Sequence, residues 1–217
     1  MDFALARHNM VESQLRTNRV TSPHLLSAMG ELPRERFVPA SKRTLAYVDE
    51  DIPIGNGRFI MEPMVLGRLL EAAAIQPTDV VLVVGCGMGY SAAVTAKLAS
   101  TVFALERERE LSTRAATELT NLALDNAVVI EGRVDRGYPN QSPYDVILID
   151  GAVAQIPQAI IDQLAEGGRL VTVIGADLPV GRATLVQRCN NVISERTLFD
   201  AAVRTLPSFK AKAGFVF

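Results

Sequence analysis

Cysteine and histidine are both rare in this sequence, with two residues of each among 217. Two cysteines are too few for a disulfide framework, and we expect Cys86 to be the reduced thiol of a cytoplasmic protein. The histidines and cysteines also lack the spacing of metal ligands, so we expect no metal site. These shortages exclude disulfide-stapled secreted domains and zinc-binding modules.

Net charge and long apolar runs are lacking as well. The 22 lysines and arginines nearly balance the 24 aspartates and glutamates, so the net charge is −2 and gives no basic footprint for nucleic acid or an anionic membrane. No apolar run approaches the roughly 20 residues of a membrane span, and the first residues lack the basic-then-apolar layout of a signal peptide. We therefore expect a cytoplasmic globular protein with neither a nucleic-acid partner nor a membrane partner.

The most informative stretch is an apolar run followed by alternating glycines. Residues 80–84 are all apolar and four of the five are β-branched, which is typical of a strand buried on both faces of a parallel sheet. Gly85, Gly87 and Gly89 come next, and an alanine-rich segment, residues 90–99, then predicts a helix. A strand, a glycine turn and a helix in this order predict a nucleotide site at the carboxyl end of the strand.

The spacing of the glycines separates two classes of nucleotide site. A dinucleotide fingerprint needs a third glycine at position 90, where this chain has Tyr90, and the spacing G-x-G-x-G instead resembles the first motif of S-adenosylmethionine-dependent methyltransferases. Glu106 ends the next apolar run, 21 residues after Gly85, close to the offset of an acid that binds ribose hydroxyls. The alternative is a tight turn with a surface glutamate. The predicted cofactor-binding residues on these turns are Gly85, Cys86, Gly87, Gly89, Tyr90, Glu106 and Arg107.

Four motifs together resemble one methyltransferase family. They are Leu-Pro-Arg-Glu-Arg-Phe-Val-Pro at 32–39, Ala-Tyr at 46–47, Pro-Ile-Gly-Asn-Gly-x-x-Ile-x-x-Pro at 53–63 and Val-Gly-x-Gly-x-Gly-Tyr at 84–90. In this order the chain resembles the protein-L-isoaspartate O-methyltransferase family from about residue 10 to residue 174. The resemblance implies methyl transfer from S-adenosylmethionine to the α-carboxyl of isoaspartyl residues, with a protein or peptide as the substrate.

Several positions depart from the family pattern around the expected ligand site. Met61 replaces a hydroxyl residue that contacts the acceptor carboxylate, and Val83 replaces an acid before the first glycine. Arg133 and Val134 replace the Asp-Gly whose acid lies by the adenine. Asp150 stands where the family typically has threonine or serine.

These departures give further candidate site residues. Arg133 and Val134 are predicted beside the cofactor, where Asp135 could take the role of the displaced acid and pair with Arg136. Asp150 lies at the end of a predicted strand, so it could bind the cofactor's ammonium group, orient an acceptor or act as a base. The alternative for Asp150 is a turn or N-cap aspartate. Met61 and Asp150 are the predicted acceptor-side positions.

The fold class predicted is α/β, a Rossmann-like methyltransferase fold with a mostly parallel seven-stranded sheet, an antiparallel edge and helices on both faces. Residues 1–63 are predicted as an N-terminal helical segment with a lid loop at 52–63, and residues 64–217 as the cofactor-binding domain. Predicted helices cover 4–16, 23–30, 64–74, 90–99, 107–124 and 156–165, and the second of them has Ser22 as its N-cap and Pro23 at its first position. Predicted strands cover 80–84, 101–105, 127–131, 144–152, 169–174, 184–187, 194–199 and 214–217.

Three functions are compatible with the sequence. Isoaspartyl carboxyl methylation is favoured by the length of the resemblance. Methylation of another acceptor, including a small molecule, is favoured by Met61 and Asp150. A catalytically degenerate S-adenosylmethionine-binding protein is favoured by Val83 and Arg133, since similarity of fold alone does not decide function.

Overall fold

A computed structural model of the protein describes residues 1–175 and 178–209, and helices alternate with strands from residue 63 to residue 131. The helices are α1 (Phe3–Met10), α2 (Pro23–Glu31), α3 (Pro63–Ala73), α4 (Tyr90–Ala96), α5 (Arg109–Asn121) and α6 (Gln158–Ile161). The strands are β1 (Ile52–Gly55), β2 (Arg58–Ile60), β3 (Val80–Val84), β4 (Thr101–Glu106), β5 (Ala127–Glu131), β6 (Tyr144–Val153), β7 (Leu164–Ile174), β8 (Gly181–Cys189) and β9 (Val192–Ala201).

Seven of these strands form one sheet in the order β5-β4-β3-β6-β7-β8-β9. The strands from β5 to β7 pair in parallel, whereas β8 and β9 pair antiparallel at one edge. This confirms the predicted fold class. The chain leaves β3 toward β4 on one side and returns with β6 on the other, so the carboxyl ends of β3 and β6 border the crevice where ligands bind in such sheets.

The central strand β3 is buried on both faces, as its apolar run predicts. Val81 and Val83 belong to a large core cluster with α3, α4 and α5, while Leu82 and Val84 belong to a second cluster on the opposite face. That second face is covered by α6 and by the chain that follows β9, with Leu206 among its buried residues. Helices therefore lie on both faces; in the part of the chain that the structure describes, the second face carries the short α6 and the 3-10 turns Val134–Arg136 and Pro207–Phe209.

The second helix begins at its predicted cap. Ser22 accepts a hydrogen bond from the backbone N–H of Leu25 at 3.4 Å, and Pro23 occupies the first position of α2. The first helix continues past Met10 as a π-helical turn and a short 3-10 turn, and it ends at Arg19 with a φ of +66°. The division of the chain at residue 63 remains a prediction.

Two predicted elements are wrong. The segment predicted as a loop at 52–63 contains the β1–β2 hairpin, because Asn56 and Gly57 both take positive φ and close a tight turn. The helix predicted at 156–165 forms only over α6, because the carbonyl of Gln163 already accepts from the N–H of Tyr144 at 2.8 Å and the chain enters β7. The strand predicted at 214–217 lies outside the described residues.

Within residues 1–175 and 178–209, no helix is both long enough and apolar enough to cross a bilayer. The same part of the chain holds no group of three or more histidine, cysteine, aspartate or glutamate side chains that could bind a metal ion.

Candidate functional site

The glycine turn connects β3 to α4 as the sequence predicts. The N–H of Gly85 donates to the carbonyl of Leu105 at 2.7 Å, which ties the turn to the end of β4. Gly85 and Gly89 have φ values of +78° and +98°, in the region that favours glycine. A Cβ atom on Gly89 would lie 3.0 Å from the Cβ of Ala115, so the absence of a side chain also lets α5 pack closely against the turn.

Glu106 is held rigidly at the carboxyl end of β4. Its side chain is fully buried, and its carboxylate accepts hydrogen bonds from the backbone N–H of Gly87 at 2.8 Å, of Arg107 at 2.8 Å and of Glu108 at 3.1 Å. A buried carboxylate with this many donors is a fixed acceptor. The acid predicted for the ribose hydroxyls therefore lies directly beside the glycine turn, and not on the surface.

Arg58 of β2 occupies the space between that acid and the turn. Its Nη1 donates to both carboxylate oxygens of Glu106, at 2.6 and 2.7 Å, and its Nη2 donates to the carbonyl of Gly85 at 2.7 Å. The exposed fractions of the two side chains are 4% for Arg58 and 0% for Glu106. No local pattern in the sequence marks Arg58 as a site residue.

A second segment lies over the same turn. After β9 the chain passes the carboxyl end of β6, where Ala152 donates to the carbonyl of Arg204 at 3.0 Å and accepts from the N–H of Leu206 at 2.9 Å. The Leu206 side chain covers Gly151 and Gly85 so closely that Cβ atoms built on them would lie 2.6 Å and 3.2 Å from its carbon atoms. The crevice at the ends of β3 and β6 is thus filled by side chains of the same protein.

Asp150 lies in the wall of what remains of the crevice. Its Oδ2 accepts from the hydroxyl of Ser91 in α4 at 2.5 Å, and its buried Oδ1 has no hydrogen-bond partner within the described residues. Burial raises the pKa of Asp150 to about 6, against the opposing effects of the Ser91 hydrogen bond and of the Arg58 and Arg34 guanidinium groups. The side chain bonds to another element instead of capping its own turn.

Met61 is buried in the same wall and is anchored through its backbone. The Met61 carbonyl accepts from Nη2 of Arg34 at 2.7 Å, and Nε of Arg34 donates to the carbonyl of Ala46 at 2.7 Å. The fully buried Arg34 guanidinium also stacks 4.7 Å from the centre of the Tyr90 ring. Arg34 therefore joins the N-terminal segment to the hairpin and to α4, and burial lowers its pKa. In the sequence, Arg34 stands out only as part of the motif at 32–39.

The loop after β5 is arranged differently from the prediction. The Arg133 side chain is 69% exposed and forms an ion pair with Asp135 at 2.7 Å. The predicted pairing of Asp135 with Arg136 is therefore wrong. Val134 is buried in the 3-10 turn that follows. The structure places Arg133 on the surface beside Val134, and the roles of both residues toward a cofactor stay predictions.

Two other predicted cofactor residues lie beside the crevice. Cys86 is buried within the glycine turn, and burial raises the pKa of its thiol well above the ordinary value, so the thiol is protonated at neutral pH. Arg107 donates from Nη1 to the hydroxyl of Ser208 at 3.1 Å, which adds a contact between β4 and the segment after β9.

Among the described residues, the cavity that remains beside Met61 and Asp150 in this crevice is too small for a nucleotide. The cavity that Asp51, Met61, Asp150 and Arg204 line measures about 10 Å³, which holds about one water molecule. Pockets for cofactor-sized ligands measure roughly 300–1,000 Å³. The glycine turn and Glu106 provide the groups that a nucleoside needs, but in this conformation the surrounding residues do not fit S-adenosylmethionine.

Comparison with known proteins identifies the family. The family model described as "Protein-L-isoaspartate(D-aspartate) O-methyltransferase (PCMT)" matches residues 6–203. A protein-L-isoaspartate O-methyltransferase of Koribacter versatilis is 42% identical over 198 residues, which cover 91% of this chain and 88% of the relative. Its counterpart in Gloeobacter violaceus is 38% identical over 203 residues and covers 94% and 98% of the two chains.

Solved structures agree with the fold. One protein-L-isoaspartate O-methyltransferase has a TM-score of 0.79 and 25% sequence identity to this chain. The match covers 92% of this chain and 65% of that protein. A putative Plasmodium falciparum enzyme of the same description, solved in complex with S-adenosyl-L-homocysteine, has a TM-score of 0.77 at 21% identity over 93% of this chain and 98% of its own. The chain therefore belongs to the protein-L-isoaspartate(D-aspartate) O-methyltransferase family.

Proposed function

We propose that this chain is an S-adenosylmethionine-dependent methyltransferase that esterifies the carboxyl of isoaspartyl residues in proteins or peptides. The observation that carries the proposal is the family match over residues 6–203, with relatives of that description near 40% identity. The glycine turn and the buried Glu106 support it as groups suited to a nucleoside. We also propose a cytoplasmic location, which the two free cysteines support.

The chemistry of a carboxylate acceptor places modest demands on the protein. An ionised carboxylate is already a nucleophile, so its methylation needs no general base, and the protein must mainly hold the reactants in line and exclude water. The small cavity beside Met61 is also lined by Arg204. A guanidinium group pairs well with a carboxylate, so Arg204 supports the proposed acceptor class.

A second candidate function is methylation of an alcohol or an amine. Two observations favour it: the wall at Met61 is an apolar thioether, and Asp150 presents a carboxylate to the same cavity. With a pKa of about 6, Asp150 is ionised at neutral pH and could accept a proton from a hydroxyl or an ammonium group. An acceptor of this kind would need such a base, whereas an isoaspartyl carboxylate would not.

A methyl-transfer assay separates the two candidates. The full-length protein is incubated with S-adenosylmethionine labelled in the methyl group and with an isoaspartyl peptide or the same peptide containing normal aspartate. We expect label only in the isoaspartyl peptide, and we expect it as a methyl ester that mild base hydrolyses to methanol. Base-stable label in the peptide would contradict the isoaspartyl proposal. So would an unlabelled isoaspartyl peptide when the protein is shown to bind the methyl donor.

A further inference from the structure

We infer that the protein closes its own cofactor crevice, with the β1–β2 hairpin and residues 203–206 lying where S-adenosylmethionine would bind. The cofactor then enters only when both segments move away. This inference rests on the proposed function for the identity of the ligand. Its structural basis is the occupation of Glu106 and of the glycine turn by groups of the same chain.

Arg58 competes directly with a ribose for Glu106. A carboxylate offers about four lone-pair sites. The Glu106 carboxylate already accepts from the three backbone N–H groups of Gly87, Arg107 and Glu108 and makes two further contacts with Nη1 of Arg58. The three backbone donors leave about one of these sites, so a ribose hydroxyl can donate to Glu106 only after the guanidinium has left.

Apolar side chains cover the rest of the turn. A Cβ atom on Gly87 would lie 2.7 Å from Cδ1 of Ile54 in β1, and one on Gly85 would lie 3.2 Å from Leu206. These are the two glycines whose backbone a nucleotide would approach. Because Ile54 and Arg58 lie on the two strands of one hairpin, a movement of that hairpin uncovers both the turn and Glu106.

The hairpin and residues 203–206 are also joined to each other. The N–H of Arg204 donates to Oδ2 of Asp51 at 2.7 Å, and the Arg204 guanidinium lies 5.6 Å from the ring centre of Phe59. A Cβ on Gly57, in the hairpin turn, would meet the Pro207 ring at 3.6 Å. The two segments therefore have contacts of their own, and their joint departure from the crevice breaks the two backbone hydrogen bonds that Ala152 makes with Arg204 and Leu206.

The closed arrangement leaves some polar groups unsatisfied. Nε of Arg58 and Oδ1 of Asp150 are both buried, and neither makes a hydrogen bond within the described residues. Unpartnered buried polar groups disfavour the state that contains them. A closed state with this defect is suited to exchange with an open one, and the apparent affinity for the cofactor falls in proportion to the open fraction.

Calorimetric titration with S-adenosylhomocysteine tests the inference on the full-length protein. Arg58→Gln keeps a polar side chain but cannot form the ion pair, so we expect its Kd to be at least tenfold lower than that of the wild type. Arg16→Gln is the matched control, because Arg16 makes an exposed ion pair with Glu12 in the N-terminal helical region. We expect its Kd to equal that of the wild type.

Equal Kd values for the wild type and Arg58→Gln would overturn the inference, as would the absence of binding by an Arg58→Gln protein that melts cooperatively. If Arg58→Gln does not fold, Leu206→Ala removes the other cover and should lower Kd at least threefold. An unchanged or higher Kd for that folded variant would equally overturn the inference.

The methyl-transfer assay, run on the same samples, distinguishes this inference from the proposed function. Isoaspartyl methylation with equal Kd values for the wild type and Arg58→Gln would leave the function standing and remove the closure. Tighter binding by Arg58→Gln, with no methylation of the isoaspartyl peptide by either the wild type or the variant, would leave the closure standing and remove the function.

Discussion

Replacing Arg58 by leucine should cost a large share of the protein's stability. The substitution leaves the Glu106 carboxylate fully buried with its backbone donors but without its counter-ion. Removing one partner of a buried ion pair typically costs about 3–5 kcal/mol. Because three N–H groups still donate to Glu106, we expect a loss of about 3 kcal/mol in the free energy of unfolding at pH 7.

Urea unfolding followed by circular dichroism measures this loss, and a second variant identifies its cause. Adding Glu106→Gln to Arg58→Leu removes the uncompensated charge, so the double variant should recover at least about 1 kcal/mol relative to Arg58→Leu alone. Arg16→Leu, in an exposed pair, should change stability by no more than about 0.5 kcal/mol. A loss below about 1 kcal/mol for Arg58→Leu, or additive effects in the double variant, would refute the reasoning.

Three other expectations follow from single positions. Asp150→Asn should match the wild type in stability near pH 4 and exceed it at pH 7 by up to about 3 kcal/mol. The reason is that the pKa of the buried carboxyl is raised, so the wild type loses stability as the pH rises from about 4 to about 6. A difference in the free energy of unfolding that does not vary with pH would contradict this. Met61→Ser should raise kcat/KM for an isoaspartyl peptide severalfold by restoring a hydrogen-bond donor, and an unchanged value in the methyl-transfer assay would show that this wall is not limiting. Gly89→Ala should lower the free energy of unfolding, measured by thermal unfolding, by about 1–3 kcal/mol, because position 89 has a φ of +98° and the new Cβ would contact Ala115. The control Gly30→Ala should be neutral or stabilising, because Gly30 lies in a helix and its added Cβ would be 3.6 Å from the nearest neighbour.

The sequence predicts the centre of the site because the signals there are local. The apolar run of β3, the three glycines and the start of α4 are adjacent in the chain, and β3 has the predicted bounds. Glu106 is predicted from the same logic one strand later. Each of these features follows from the periodicity or the backbone freedom of a few neighbouring residues.

The closure of the crevice could not be predicted in this way. The Arg58–Glu106 pair joins residues that are 48 positions apart in the sequence, and the contact of Leu206 with Gly85 joins residues that are farther apart in the sequence. Neither pairing leaves a periodic pattern, and Arg58 is one of many arginines in the chain. The only local signal is the Asn-Gly pair at 56–57, which marks a hairpin turn.

The short helix α6 shows a different limit. The apolar residues at 156–165 are compatible with a helix, but Gln163 makes tertiary contacts that end it. Its Nε2 donates to the carbonyl of Arg136 at 2.7 Å, and its backbone carbonyl pairs with Tyr144. Tertiary contacts of this kind override local preference, and they are visible only in the folded protein.

Hydrogen–deuterium exchange of the wild-type protein, with and without saturating S-adenosylhomocysteine, tests most directly whether the cofactor must displace the protein's own segments. The closure predicts slower exchange at the glycine turn and the start of α4, together with faster exchange in β1, in β2 and at the amides of Arg204 and Leu206. Slower exchange in the hairpin as well as in the turn would show a lid that closes over the ligand, and it would contradict the closure of the crevice by Arg58 and Leu206.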